Sequence, residues 1–78
     1  MDKIWAVSIV YSKQFETKIS HALRSTVLYA KNKDEALGTG IRLTEEEFKE
    51  DQHWSLYLKA VVEVTEFVQE ISKETLNT

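Results

Sequence analysis

The sequence predicts an α+β domain: a small three-stranded antiparallel sheet of ββαβ topology and spatial order 2-1-3, with one main helix on one face and a short C-terminal helix. Three observations carry this. Residues 4–11 form a strand-length segment that is apolar on both alternating sides. Residues 53–64 show period-two alternation, the pattern of a strand. Between them an asparagine opens an amphipathic segment of helical period. A chain of 78 residues allows one domain, covering 1–78. Leu, Ile, Val and Phe make up about 28% of it, above the roughly 20% below which chains stay disordered.

The first strand, Ile4–Tyr11, carries Ile4, Ala6 and Val10 on one face and Trp5, Val7, Ile9 and Tyr11 on the other. Two apolar faces mark a strand central in its sheet. Ser12–Ser20 is polar, with isolated Phe15 and Ile19, and predicts a long hairpin loop. Ala22–Ala30 has strand chemistry in Thr26, Val27, Leu28 and Tyr29.

Asn32 then caps a helix, with Glu35 three residues on as its capping-box partner. At 100° per residue Leu43, Ala36, Gly40, Thr44, Leu37 and Ile41 share one arc, of about 160°, wide enough to lie on a sheet. Gly40 within that arc predicts close approach of helix to strand, since glycine costs about 1 kcal/mol of helix propensity. Thr44-Glu45-Glu46-Glu47 reads as a second capping box and predicts a break near Leu43, with a short restart anchored by Phe48.

In the third strand Trp54, Leu56, Leu58, Ala60, Val62 and Val64 alternate with Ser55, Lys59 and Glu63. The apolar set is expected under the helix, with Leu56, Leu58 and Val62 in the core. Tyr57 and Val61 are expected on the opposite face. Thr65–Leu76, with Phe67, Val68 and Ile71, predicts an amphipathic helix rather than more strand.

If the first strand is central, a single helix covers only one side of the sheet. The other side is then covered by Phe67, Val68 and Ile71 of the tail, by a second copy, or by both; the sequence predicts a homodimer, with Tyr57, Val61, Phe67 and Ile71 as the candidate contact residues. Trp5 and Trp54 are expected in or at the rim of the core rather than at a partner surface.

No chemistry is announced by the residues. There is no cysteine, hence no thiolate metal site or cysteine nucleophile. His21 and His53 lack ligand spacing, although Asp51 lies near His53, and no serine sits in a nucleophile elbow. Gly38-Thr39-Gly40 lies within a helical pattern and not in a phosphate loop. The expectation is a protein that is not an enzyme and carries no cofactor and no metal.

Charge divides along the chain. Residues 1–33 hold six basic groups against two acids, net +4, and residues 34–78 hold four against eleven, net −7. Lys13, Lys18, Arg24, Lys31 and Lys33 are the candidate contacts to an acidic partner or an anion. The leading expectation is a small non-catalytic interaction module, a regulator, adaptor or inhibitor binding another protein. The alternative is an oligomeric binder of a small anionic ligand held between subunits. A nucleic-acid-binding module ranks below both, because the overall charge is acidic and RNA-binding sheet signatures are missing. With no membrane-length apolar run and no basic leader, the expected location is cytoplasmic.

Overall fold

Thirteen residues of strand, a two-residue turn and thirteen more residues of strand open the chain. In the computed structural model, which describes residues 2–76, β1 (Lys3–Phe15) and β2 (Lys18–Ala30) pair antiparallel along their whole length. The expected loop over Ser12–Ser20 is instead the end of this hairpin, turned by Glu16 and Thr17 between the closing pair Phe15 and Lys18. Polar side chains do not end the ladder, because the pairing is made by backbone and this tip is wet on both faces. Glu16 takes a positive φ of 57°, as the first turn residue of a tight hairpin of this kind requires.

β3 (Trp54–Glu63) pairs antiparallel with the other side of β1, giving the order β2-β1-β3. The 2-1-3 sheet and the two helices agree with the sequence prediction. α1 (Lys33–Phe48) begins where expected: Asn32 Oδ1 accepts the Glu35 amide at 2.9 Å. The break expected near Leu43 does not occur. Thr44 does not cap a new helix; its Oγ1 lies 3.0 Å from the carbonyl oxygens of both Gly40 and Ile41, bonding back along one continuous helix.

α1 lies across all three strands. Beneath it Trp5, Val7, Ile9 and Tyr11 of β1 form the core with Ala30 and Ala36, bordered by Leu28, Leu37, Ile41, Phe48, Trp54 and Val61. Burying side chains of the Val and Ile class contributes about 1.5–3 kcal/mol each, so β1 carries most of the fold's apolar stabilisation. Gly40 is buried against Val7, and Gly38 points into open space. Leu43, placed on the buried arc by the wheel, is 57% exposed at its edge.

The two faces of β3 are largely the reverse of expectation. Val7 pairs with Val61 and Ile9 with Lys59, so Val61, Lys59 and Glu63 share the helix-covered side. Ala6 pairs with Val62 and Val10 with Leu58, so Leu58, Ala60 and Val62 lie on the uncovered side. Leu58 is 58% and Val62 59% exposed; neither is a core residue. An irregularity opposite Val10 and Tyr11 inserts Tyr57 and restores Leu56 and Trp54 to the side of Tyr11. Strict alternation therefore does not hold through the strand.

α2 (Thr65–Leu76) is the C-terminal helix the sequence predicts. Its start is fastened to β1: the Val64 amide donates to Ile4 O at 2.8 Å and the Ile4 amide to Thr65 Oγ1 at 3.0 Å. Among the helices and strands it approaches β1 alone. The domain measures 53 × 27 × 17 Å, two layers thick.

Candidate interaction surface

The face of the sheet turned away from α1 is built by register. Across it run the rows Val27–Ala6–Val62, Ser25–Ser8–Ala60 and Leu23–Val10–Leu58. Tyr29 and Ile19 extend it along β2. Side chains on the central strand are small or short, with Ala6, Ser8, Val10 and Ser12 in line. Those on the flanking strands are larger: Leu23, Val27 and Tyr29 on one side, Tyr57, Leu58 and Val62 on the other. Only the middle row, Ser25–Ser8–Ala60, is small on all three strands. At its centre Ser8 Oγ and Ser25 Oγ satisfy each other at 2.9 Å. Tyr57, 60% exposed, lies with its ring 5.4 Å from that of His21 across Ser12.

Charge is absent from this surface. The strands hold six charged residues: Lys3, Lys13, Lys18, Arg24, Lys59 and Glu63. By register all six stand on the side of the sheet that α1 covers, around the rim of the helix. An antiparallel sheet that faces water on one side ordinarily alternates apolar inward with polar outward. Here the charged residues stand on the helix-covered side, around its core, and the bare side is the uncharged one.

Part of the divided charge of the two halves is paired within the chain. Arg24 Nε donates to both carboxylate oxygens of Glu47 at 2.9 Å. Lys13 Nζ donates to Asp51 Oδ2 at 2.6 Å, and Lys3 pairs with Glu63 at 3.7 Å. Each pair joins the basic first half to the acidic second half. The Arg24 guanidinium holds the Glu47 carboxyl below the ordinary glutamate range, chiefly through that hydrogen bond, and Arg24 is raised in turn. Asp51 is held well below the usual carboxylate range. The Lys13 hydrogen bond is the main cause, followed by the backbone amide and then the ring of His53.

Of the basic candidates, Lys13 and Arg24 are thus engaged in ion pairs. Lys18 stands at the hairpin tip, whereas Lys31 and Lys33 stand at the other end of β2, on the order of 40 Å away along the strand. One copy of the chain does not gather the five around a common anion. Of the expected contact residues, Tyr57 is on the bare face, and Phe67 and Ile71 are exposed on α2. Val61 is on the other side, packed against the core, because β3 presents its faces in the opposite sense. Leu23, Val27 and Tyr29 are not among the contact residues expected from the sequence; their signal is the uncharged odd positions of β2.

Around the far end of α1, Tyr11 and Phe48 stack at 4.2 Å between centroids, and Phe48 meets Trp54 at 5.2 Å. Lys13 lies over Trp54 and Arg24 over Phe48. This cluster closes the core, as expected of Trp54 at its rim. Trp5 is buried, its Nε1 donating to Ala30 O at 3.0 Å. A cleft of about 450 Å³ lies between the sheet end and α2, bordered by Ile4, Tyr29, Val68 and Ser72.

Among the described residues no three His, Asp or Glu side chains converge as a metal site would need. No helix there is long and apolar enough to cross a membrane. No known protein family matches the sequence, and neither a curated protein nor a solved structure is found similar to it.

Proposed function

We propose that the chain is a non-catalytic interaction module, of the regulator, adaptor or inhibitor kind, and that its working surface is the bare face of the sheet. One observation carries the reading: a continuous surface with Leu23, Val27, Tyr29, Tyr57, Leu58 and Val62 exposed and no charged side chain among them. Contiguous apolar surface on a small domain supports an interaction site. Flat, wide and without deep concavity, it suits a protein surface better than a small ligand.

A photo-crosslinking residue placed at Leu23 tests this in the native host, with the same residue at Arg42 on the exposed side of α1 as reference. Crosslinked protein from position 23 and not from 42 supports the reading. Equal yields from both, or none from 23, overturn it.

A further inference from the structure

We infer that the protein covering the bare face is a second copy of this chain, packed sheet against sheet about a two-fold axis to give a four-layer helix–sheet–sheet–helix assembly. The inference rests on the reading of that face as an interaction surface and names its occupant.

Charge comes first. A heterologous partner is ordinarily selected by complementary charge across the contact. This face offers none to read, since every charged strand residue stands on the helix side. A copy of itself needs no such complementarity: an isologous contact sets each patch against its own duplicate, and an uncharged patch meets no like-charge repulsion wherever the axis falls.

Shape comes second. The central strand presents Ala6, Ser8 and Val10 between the larger Leu23, Val27, Leu58 and Val62 of β2 and β3, so larger side chains of one sheet have shorter ones of the other to pack over. Aligned sheets pack about 10 Å apart in this manner. The serine pair at the centre is already satisfied internally, Ser8 with Ser25, and brings no unmet hydroxyl into the contact.

Area comes third. Three strands and about ten residues span roughly 14 Å by 33 Å, a footprint on the order of 500 Å² per copy. Two copies bury on the order of 1,000 Å², at the lower end of what specific interfaces bury. The face is also already buried at one end. Ile4, in line with Ala6 and Val10, is closed by the start of α2, and α2 reaches no other strand. The rest of the surface is left to the partner.

Sedimentation of the full chain at micromolar concentration is the test. The expected species has twice the 9.1 kDa mass of one chain, and Leu58→Lys and Val27→Lys each return it to single mass. Circular dichroism reports whether each variant keeps its fold. Should both lysine variants unfold, a milder pair decides. The chain has no cysteine, so Ser8→Cys supplies a unique thiol at the middle of the face and Arg42→Cys one on the exposed side of α1. A short bismaleimide is expected to join chains through position 8 and not through 42.

A species that stays at single mass overturns the inference, as does a dimer that survives both lysines and does not crosslink through position 8. An apolar dye then separates the two levels of the argument. Dye bound by the native monomer and lost in Leu58→Lys keeps the face as a docking surface for a different protein. No dye bound at all removes the interaction reading as well.

Discussion

A Cβ built on Gly40 falls 2.6 Å from Cγ1 of Val7 and 3.3 Å from its Cβ. The helix rests on the central strand at this point with no room for a methyl group. Val7 is buried and β-branched, so it has little rotamer freedom with which to yield.

Gly40→Ala therefore lowers stability although alanine is the better helix former. Overpacking costs about 1–3 kcal/mol against about 1 kcal/mol gained in propensity. The expected net loss is about 1 kcal/mol, with Gly40→Leu worse, read as a fall in Tm. Adding Val7→Ala recovers part of the loss, so the double variant is less destabilised than the two singles predict. A rise in Tm for Gly40→Ala alone contradicts the packing.

Ile9→Ala opens a cavity under α1 and should cost about 2–5 kcal/mol, a large share of what so small a domain has. Leu58→Ala, measured in chain dilute enough to be monomeric, should change stability by no more than about 0.5 kcal/mol, as surface positions do. Chemical denaturation of both variants checks the assignment of faces. Equal losses would return Leu58 to the core.

Asp51 makes the fold sensitive to acid. Its folded pKa is depressed by Lys13 and then by His53. The stability it contributes is thus fully present above the unfolded aspartate value of about 3.9 and is lost as pH falls below it. Glu47, depressed by Arg24, acts in the same sense. Asp51→Asn is expected to flatten the decline of Tm between neutral and strongly acid pH, leaving a smaller difference from the native chain at the acid end. A decline of unchanged steepness would remove Asp51 as its source.

Glu16 holds a positive φ that costs an L-residue about 1–2 kcal/mol. Glycine relieves this and gives back part of the gain through the unfolded chain, about 0.4–1 kcal/mol. Glu16→Gly should stabilise by roughly 0.5–1 kcal/mol, a rise of a few degrees in Tm. A fall would mean that the glutamate side chain contributes to the turn.

What the sequence revealed follows from where its signals are local. Strand order was legible in β1, because a strand apolar on both sides has to lie in the middle. The helix start was legible because an Asn cap is a local hydrogen bond, and it is present as read. The faces of β3 were not legible. Lys59 and Glu63 look like solvent markers, yet on an edge strand a long charged side chain passes the rim of the covering helix and still reaches water. Glu63 does so and meets Lys3. The inserted Tyr57 also breaks the alternation on which the reading depended. The bare face shares this history: each half of it was visible as apolar residues, but only the register places β2 and β3 on one side of β1.

Placing the first-made strand at the centre of the sheet has a consequence for biosynthesis. β1 and β2 leave the ribosome together and can zip at once through their two-residue turn. The opposite edge of β1 waits for β3, whose last residue, Glu63, follows Ala30 by 33 positions. At about 5–20 residues per second that interval is roughly 2–7 s. Throughout it a long nascent hairpin carries an open hydrogen-bonding edge, and one greasy side lacks its helix. Neighbouring chains on one polysome hold such hairpins close together, and edge-to-edge pairing competes with the native pairing until β3 arrives.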